Sequence, residues 1–128
     1  MKNILVVDDM SSWRDFNINA VYEILGKNVN IEEASSADEA YTKIIENNSK
    51  PYDIVITDLQ MENSYEPKYA GEWLVEQIRS LPKYYRTKII MISGAYNARK
   101  IAENLNIDCI PKSTAVKFIS AYKELLED

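Results

Sequence analysis

Residues 52–60 read YDIVITDLQ, an apolar run through Ile54, Val55 and Ile56 that ends on a carboxylate, Asp58. A strand built for burial has no ordinary use for a charge at its end. The same oddity occurs near the start of the chain. There residues 4–10 read ILVVDDM, and Asp8 and Asp9 close the run from Ile4 to Val7. A third short run, Ile89–Ile92 in IIMISG, ends on Ser93 and Gly94. Runs of this length, rich in Ile and Val, suit strands covered on both faces, as in a parallel sheet.

Working outward from these runs, two weaker strands are expected at NVNIEEA, where Val29 and Ile31 alternate with polar residues, and at Ile107–Pro111. Both read as outer or edge strands. Helical spacing lies between the runs: Trp13, Phe16, Ala20 and Ile24, then Ala37, Ala40, Tyr41, Ile44 and Ile45. Ser11 or Ser12 can cap the first helix, and Ser35 or Ser36 the second. Further helices are expected over 71–81, 97–105 and 115–126, the last with Val116, Ile119, Tyr122 and Leu126 on its apolar face. The order is βα repeated five times, which predicts an α/β, doubly wound parallel sheet with right-handed crossovers. The stretch LQMENSYEPKYAG, 59–71, is the longest irregular segment.

The chain has 128 residues, 46% of them hydrophobic, enough for one domain with one sizeable core. A net charge of −5 supplies no basic stripe for a phosphate backbone, so direct nucleic-acid binding is not expected. Histidine is absent, which removes Ser-His-Asp and Cys-His nucleophiles in their usual form and histidine-ligated zinc. The single cysteine, Cys109, allows no internal disulfide and suits a reducing compartment. No stretch has the length of a membrane span and no signal-peptide core follows Met1, so a cytoplasmic location away from membranes is expected.

In doubly wound sheets, ligands bind beyond the carboxyl ends of the strands. If the first and third strands are neighbours, Asp8, Asp9 and Asp58 converge there, and a cation must offset their repulsion. An all-oxygen donor set favours Mg²⁺ or Mn²⁺. Ser93 adds a hydroxyl at the same edge, Gly94 leaves room for a bulky anion, and Lys112, after the fifth strand, adds an ammonium. Three carboxylates, a hydroxyl, a lysine and a divalent ion suit phosphoryl transfer. Asp58, expected to be exposed at its strand end, is the best nucleophile candidate.

On the residues VVDDM, VITDLQM, ISG and IPKS, the chain resembles a response-regulator receiver domain over all of residues 1–128. The resemblance implies a flavodoxin-like (βα)₅ domain with strand order 2-1-3-4-5. It implies that Asp58 accepts a phosphoryl group from a sensor histidine kinase or phosphotransfer protein. Asp9 and Asp58 would bind Mg²⁺ directly, with Asp8 helping partly through water and the Gln60 main-chain carbonyl completing the protein ligands. Ser93 would hydrogen-bond the phosphoryl oxygens, and Lys112 would pair with Asp58 or its phosphate. The implied output is an interaction face, near 99–122, for a downstream protein or a fused output domain, with a phosphorylation-dependent dimer as one form. Such a chain is a signalling phosphoacceptor, stand-alone or excised, that catalyses only its own phosphotransfer and autodephosphorylation.

Three features depart from the family pattern. Cys109 stands where an aromatic or histidine is usual three residues before the lysine, which puts the usual hydroxyl-to-aromatic coupling in doubt and reads as a small core residue. Ser113 stands where a proline usually follows the lysine, so a trans bond is expected there. The loop after Asp58 is about five residues longer than usual, with Tyr65, Pro67 and Tyr69, and borders the site, where it could shape partner access or phosphate lifetime. Two other readings stay open: a pseudo-receiver used only for docking, and a small Mg²⁺-dependent phosphohydrolase working through an aspartyl phosphate.

Overall fold

Alternation within each apolar run sets the layers. The computed structural model describes residues 1–127. Along β1 (Lys2–Val7), Leu5 and Val7 face one side of the sheet, where they pack with Ile44 of α2 (Ala37–Glu46) and Leu74 and Ile78 of α3 (Ala70–Ser80). Ile4 and Val6 face the other side, against Ala20 and Val21 of α1 (Ser11–Leu25) and Tyr122 and Leu126 of α6 (Ser120–Leu126). Ile54 and Val55 of β3 (Ile54–Thr57) divide in the same way. A strand buried on both faces therefore reads as a continuous apolar run.

The five strands, completed by β2 (Val29–Ala34), β4 (Lys88–Ser93) and β5 (Asp108–Pro111), form one parallel sheet in the order β2-β1-β3-β4-β5. The two strands expected at the edges are at the edges. Val7 pairs with Thr57 and Thr57 with Met91, while Ser93 pairs with Pro111. The register therefore brings residues 8, 58, 93 and 112 to one end of the sheet.

Four expectations need correction. The helix expected over 115–126 is broken: a four-residue turn, α5 (Lys112–Ala115), is followed by α6 from Ser120, giving six helices among the described residues besides a 3₁₀ turn over Pro82–Tyr84. Val116 (56% exposed) and Phe118 (59%) lie in the break, not on a buried face. β-branched and aromatic side chains are poor helix formers, and here no burial offsets that preference. Neither Ser11 nor Ser12 caps α1; the N-cap is Met10, whose N–H donates to Asp8 Oδ1 at 3.0 Å. Asp8, the strand-end acid, thus fixes the turn into α1, whose first N–H groups receive no side-chain cap. Ser36 does cap α2, its side chain accepting from the Glu39 N–H at 3.1 Å. Ile45, placed on the apolar face of α2, is 43% exposed, because the buried stripe of this helix is Ala37, Ala40 and Ile44. α3 and α4 (Ala98–Leu105) begin within one residue of expectation.

Candidate functional site: an acidic cluster at the strand ends

Asp8 and Asp58 each extend the sheet by one bond past the last strand residue: Asp58 N–H donates to Val7 O at 3.0 Å and Asp8 N–H to Ala34 O at 3.1 Å. Both backbones are therefore fixed by sheet hydrogen bonds before either side chain does anything. Oxygen atoms of Asp8, Asp9 and Asp58 come within 4.8 Å of one another, as the sequence leads one to expect.

Their burial differs from expectation. Asp9 is exposed, but Asp8 has no exposed surface and Asp58 only 5%, so the exposure expected of Asp58 is a correction. The cause is local. Arg14 Nη1 reaches over from α1 to donate to Asp8 O at 2.8 Å, with its Nε on Glu33 at 3.1 Å. Lys112 covers the acids from the β5 side, its side chain only 17% exposed.

Lys112 Nζ stands 3.3 Å from Asp8 Oδ2 and 3.3 Å from Asp58 Oδ2, so one ammonium serves two buried carboxylates. Toward Asp58 the contact is a hydrogen bond; toward Asp8 it is an ion pair only, and Asp8 Oδ2 is left without a hydrogen bond. Asp58 Oδ1 accepts from the Leu59 N–H at 2.7 Å. Burial and then the neighbouring Asp8 push the Asp58 carboxyl up to about 6, against the opposing pull of Lys112 and the Leu59 N–H. Burial likewise raises Asp8, opposed by the Met10 N–H and Lys112. Two acids held by one base form a site short of positive charge. A hard cation matches the donor set: all oxygen, clustered, with one buried oxygen lacking a hydrogen bond.

Ser93 is buried at the end of β4, and its Oγ accepts from the Ala95 N–H at 3.1 Å. A side chain at Gly94 would meet Lys112 Cδ only at 3.9 Å, an ordinary contact, so packing within the chain does not require glycine there. Gln60 is exposed, two residues beyond Asp58. An open cavity of about 320 Å³ lies beside Ser93 and Lys112, with Tyr96, Arg99 and Cys109 also in its wall. Cys109 is half-buried against Met91, Ala98 and Ala102, and burial pushes its thiol up, as befits an inert core residue. Among the described residues the one cis bond is Glu66–Pro67, so the Lys112–Ser113 bond is trans, as expected.

Three contributions escaped the sequence reading: a glycine, a loop anchor of two residues and an aromatic ring. Gly71 N–H donates to Leu59 O at 2.9 Å, and a Cβ at Gly71 would collide with the Asp58 carbonyl oxygen and stand 2.8 Å from Leu59 Cα. Only glycine lets α3 approach the strand end this closely. Glu62 reaches from the long loop to the start of α2, where its carboxylate accepts from the Ala37 N–H at 2.9 Å and the Asp38 N–H at 3.3 Å. Tyr65 stacks on Trp73 at 4.2 Å and its hydroxyl donates to Asp38. The long loop is thus fastened to α2 and α3. The third is Trp13, whose ring lies 4.8 Å from Lys112 Nζ. Its place in the α1 pattern pointed only to the core.

The family model for the response regulator receiver domain matches residues 4–122. The chain belongs to that family. Receiver domains are signalling phosphoacceptors of two-component systems, with Mg²⁺ binding at an acidic pocket as a family character. Among curated proteins no sequence matches. Of solved structures, the signal receiver domain of a DNA-binding response regulator from Colwellia psychrerythraea is 20% identical, with all of both chains covered and a TM-score of 0.75. The chemotaxis protein CheY4 of Vibrio cholerae is 20% identical over 98% of this chain and 99% of its own, with a TM-score of 0.70. The phosphorylated cyanobacterial phytochrome response regulator RcpA is 19% identical over 98% and 91%, at 0.73. At such identities the likeness establishes a shared fold. No helix among the described residues is long and apolar enough to cross a membrane.

Proposed function

We propose that residues 1–128 form one receiver domain in which Asp58 accepts a phosphoryl group from a phosphohistidine of a sensor kinase or phosphotransfer protein. The observation that carries the reading is Lys112 Nζ, at 3.3 Å from both Asp58 Oδ2 and Asp8 Oδ2 in a buried cluster. A carboxyl near 6 is mostly ionised at neutral pH yet poorly solvated, which suits a nucleophile. In the transfer, an Asp58 carboxylate oxygen bonds to phosphorus as the phosphorus–nitrogen bond breaks. The imidazole leaves with that electron pair.

Asp8, Asp9, Asp58 and the Gln60 main-chain carbonyl would hold Mg²⁺ or Mn²⁺, which when bound neutralises charge on the phosphoryl oxygens. Ser93 Oγ can exchange its bond from the Ala95 N–H for a bond donated to a phosphoryl oxygen. Lys112, released from Asp8 once a cation offsets that acid, pairs with the phosphate. The added charge and the movement of Ser93 would reshape the surface around α4 and β5, read by a downstream protein, a fused output domain or a second copy. The setting that fits this chemistry is the cytoplasm.

The test is incubation with Mg²⁺ and acetyl phosphate or phosphoramidate, followed by intact-mass measurement beside Asp58→Asn. A labile gain of one phosphoryl group, absent from the variant, is expected. An unmodified wild type would point to a docking module instead, and turnover of free phosphoesters to a hydrolase.

A further inference from the structure

Among the described residues Lys112 is the only cation placed on both buried acids, and little in its own segment holds it. It opens a four-residue helical turn, a serine rather than a ring follows it, and its unbranched stem has four rotatable bonds. What aims its ammonium is the pair of carboxylates, Asp8 and Asp58. These are the groups whose charge is compensated when a cation binds and carried outward onto the phosphate when Asp58 is esterified, so the carboxylates alone do not fix the direction of the ammonium through the transfer.

We propose that Trp13 is the positioning residue for Lys112, its indole face holding the ammonium in line with Asp58 throughout phosphoryl transfer. This rests on the phosphoacceptor reading of Asp58. Trp13 lies in the first turn of α1, with Lys112 Nζ 4.8 Å from its ring centroid, inside the range in which a ring quadrupole attracts a cation. The indole is itself braced. Phe16 packs on it at 5.1 Å, and Phe16 in turn meets the buried Tyr122 of α6 at 6.3 Å. A ring fixed by the packing of α1 on α6 does not depend on the charge state of the acids. Its attraction for the ammonium therefore persists when the carboxylates are neutralised, and the partial cover of the ring strengthens it relative to open water.

The prediction separates the π face from mere bulk. With acetyl phosphate and Mg²⁺, Trp13→Leu should slow phosphorylation about tenfold, whereas Trp13→Phe and Trp13→Tyr should stay within about threefold of wild type. In a Lys112→Met background, Trp13→Leu should add no further slowing. Circular dichroism shows whether each variant keeps the fold. A second readout needs no phosphorylation: with Trp73→Phe leaving Trp13 as the one indole, Lys112→Met should change the emission intensity.

Equal slowing by leucine and phenylalanine, or the same slowing with and without the lysine, would overturn the role of Trp13. So would emission indifferent to Lys112→Met. A wild type that takes no phosphoryl while the emission still responds would overturn the phosphoacceptor reading instead, and leave the contact with no reaction to serve.

Discussion

Replacing Asp58 with asparagine exchanges a charge that the fold holds poorly for a neutral amide of the same shape. The metal-free protein should therefore become more stable. In the unfolded chain the carboxyl titrates near 3.8, and in the fold near 6, lifted by burial first and by Asp8 second. Below ~pH 3.8 both states hold the proton and the carboxyl is indifferent to folding. As pH rises through that window the unfolded chain sheds its proton first, and stability falls until the folded carboxyl has also ionised. Above ~pH 6 the full penalty applies. At about 1.4 kcal/mol per tenfold change in proton affinity, the lift amounts to about 3 kcal/mol. Asp58 is buried, so solvent screening does not erase the figure.

Urea denaturation in EDTA is the assay. Asp58→Asn should gain about 3 kcal/mol over wild type at about pH 8 and only about 1 kcal/mol at about pH 4.5. Mg²⁺ should narrow the gap from the other side, because a ligand at a hundred times its Kd stabilises the form that binds it by about 2.7 kcal/mol, and the asparagine variant has lost a ligand. A variant less stable than wild type at about pH 8 without metal would refute the reasoning. So would a difference that does not change with pH, since that would mean Lys112 already repays the burial of both acids.

Two further predictions concern the supports of the site. Gly71→Ala, whose Cβ would press on the Asp58 carbonyl and stand 2.8 Å from Leu59 Cα, should cost about 2–3 kcal/mol and slow phosphorylation, because backbone must move. Gly26→Ala is the control: its φ of 78° makes it cost about 1 kcal/mol, but with nothing within 4 Å it should leave phosphorylation untouched. Glu62→Ala removes the carboxylate that accepts from Ala37 and Asp38. It should cost about 1 kcal/mol and raise amide hydrogen exchange in the first turn of α2, with unchanged exchange counting against the anchored-loop reading.

The parts of the fold legible in the sequence share one physical basis. An apolar run such as Ile54–Thr57 cannot be satisfied except between two covered faces, so strand positions, the parallel sheet and the edge placement of β2 and β5 follow from local pattern. The pairing of Asp8, Asp9, Asp58 and Lys112 was legible for a related reason. Each follows a strand, and parallel register carries strand ends to a common edge. What was not legible depends on contacts between segments far apart in sequence. Lys112 closes over Asp58 from 54 residues away and Arg14 reaches the Asp8 carbonyl from α1, and no pattern in YDIVITDLQ encodes either.

The break between α5 and α6 was hidden for the opposite reason. Val116 and Ile119 fit a helical stripe in spacing alone, and only the location of the core reveals that Ala115, Tyr122 and Leu126 suffice to fill it. Trp13 joins both lessons. Its spacing placed it on the inward face of α1, and it does pack there, yet its ring also lies within reach of Lys112, about a hundred residues away in the chain. Spacing assigns a residue to a face, but the functional partner on that face is chosen by topology. At the order β2-β1-β3-β4-β5, α1 and the segment after β5 lie on the same side of the sheet, so an aromatic in the first turn of α1 is well placed to meet a lysine that directly follows β5. An acid-only reading of the strand ends therefore describes the charge of the site but omits the ring that lies 4.8 Å from Lys112 Nζ.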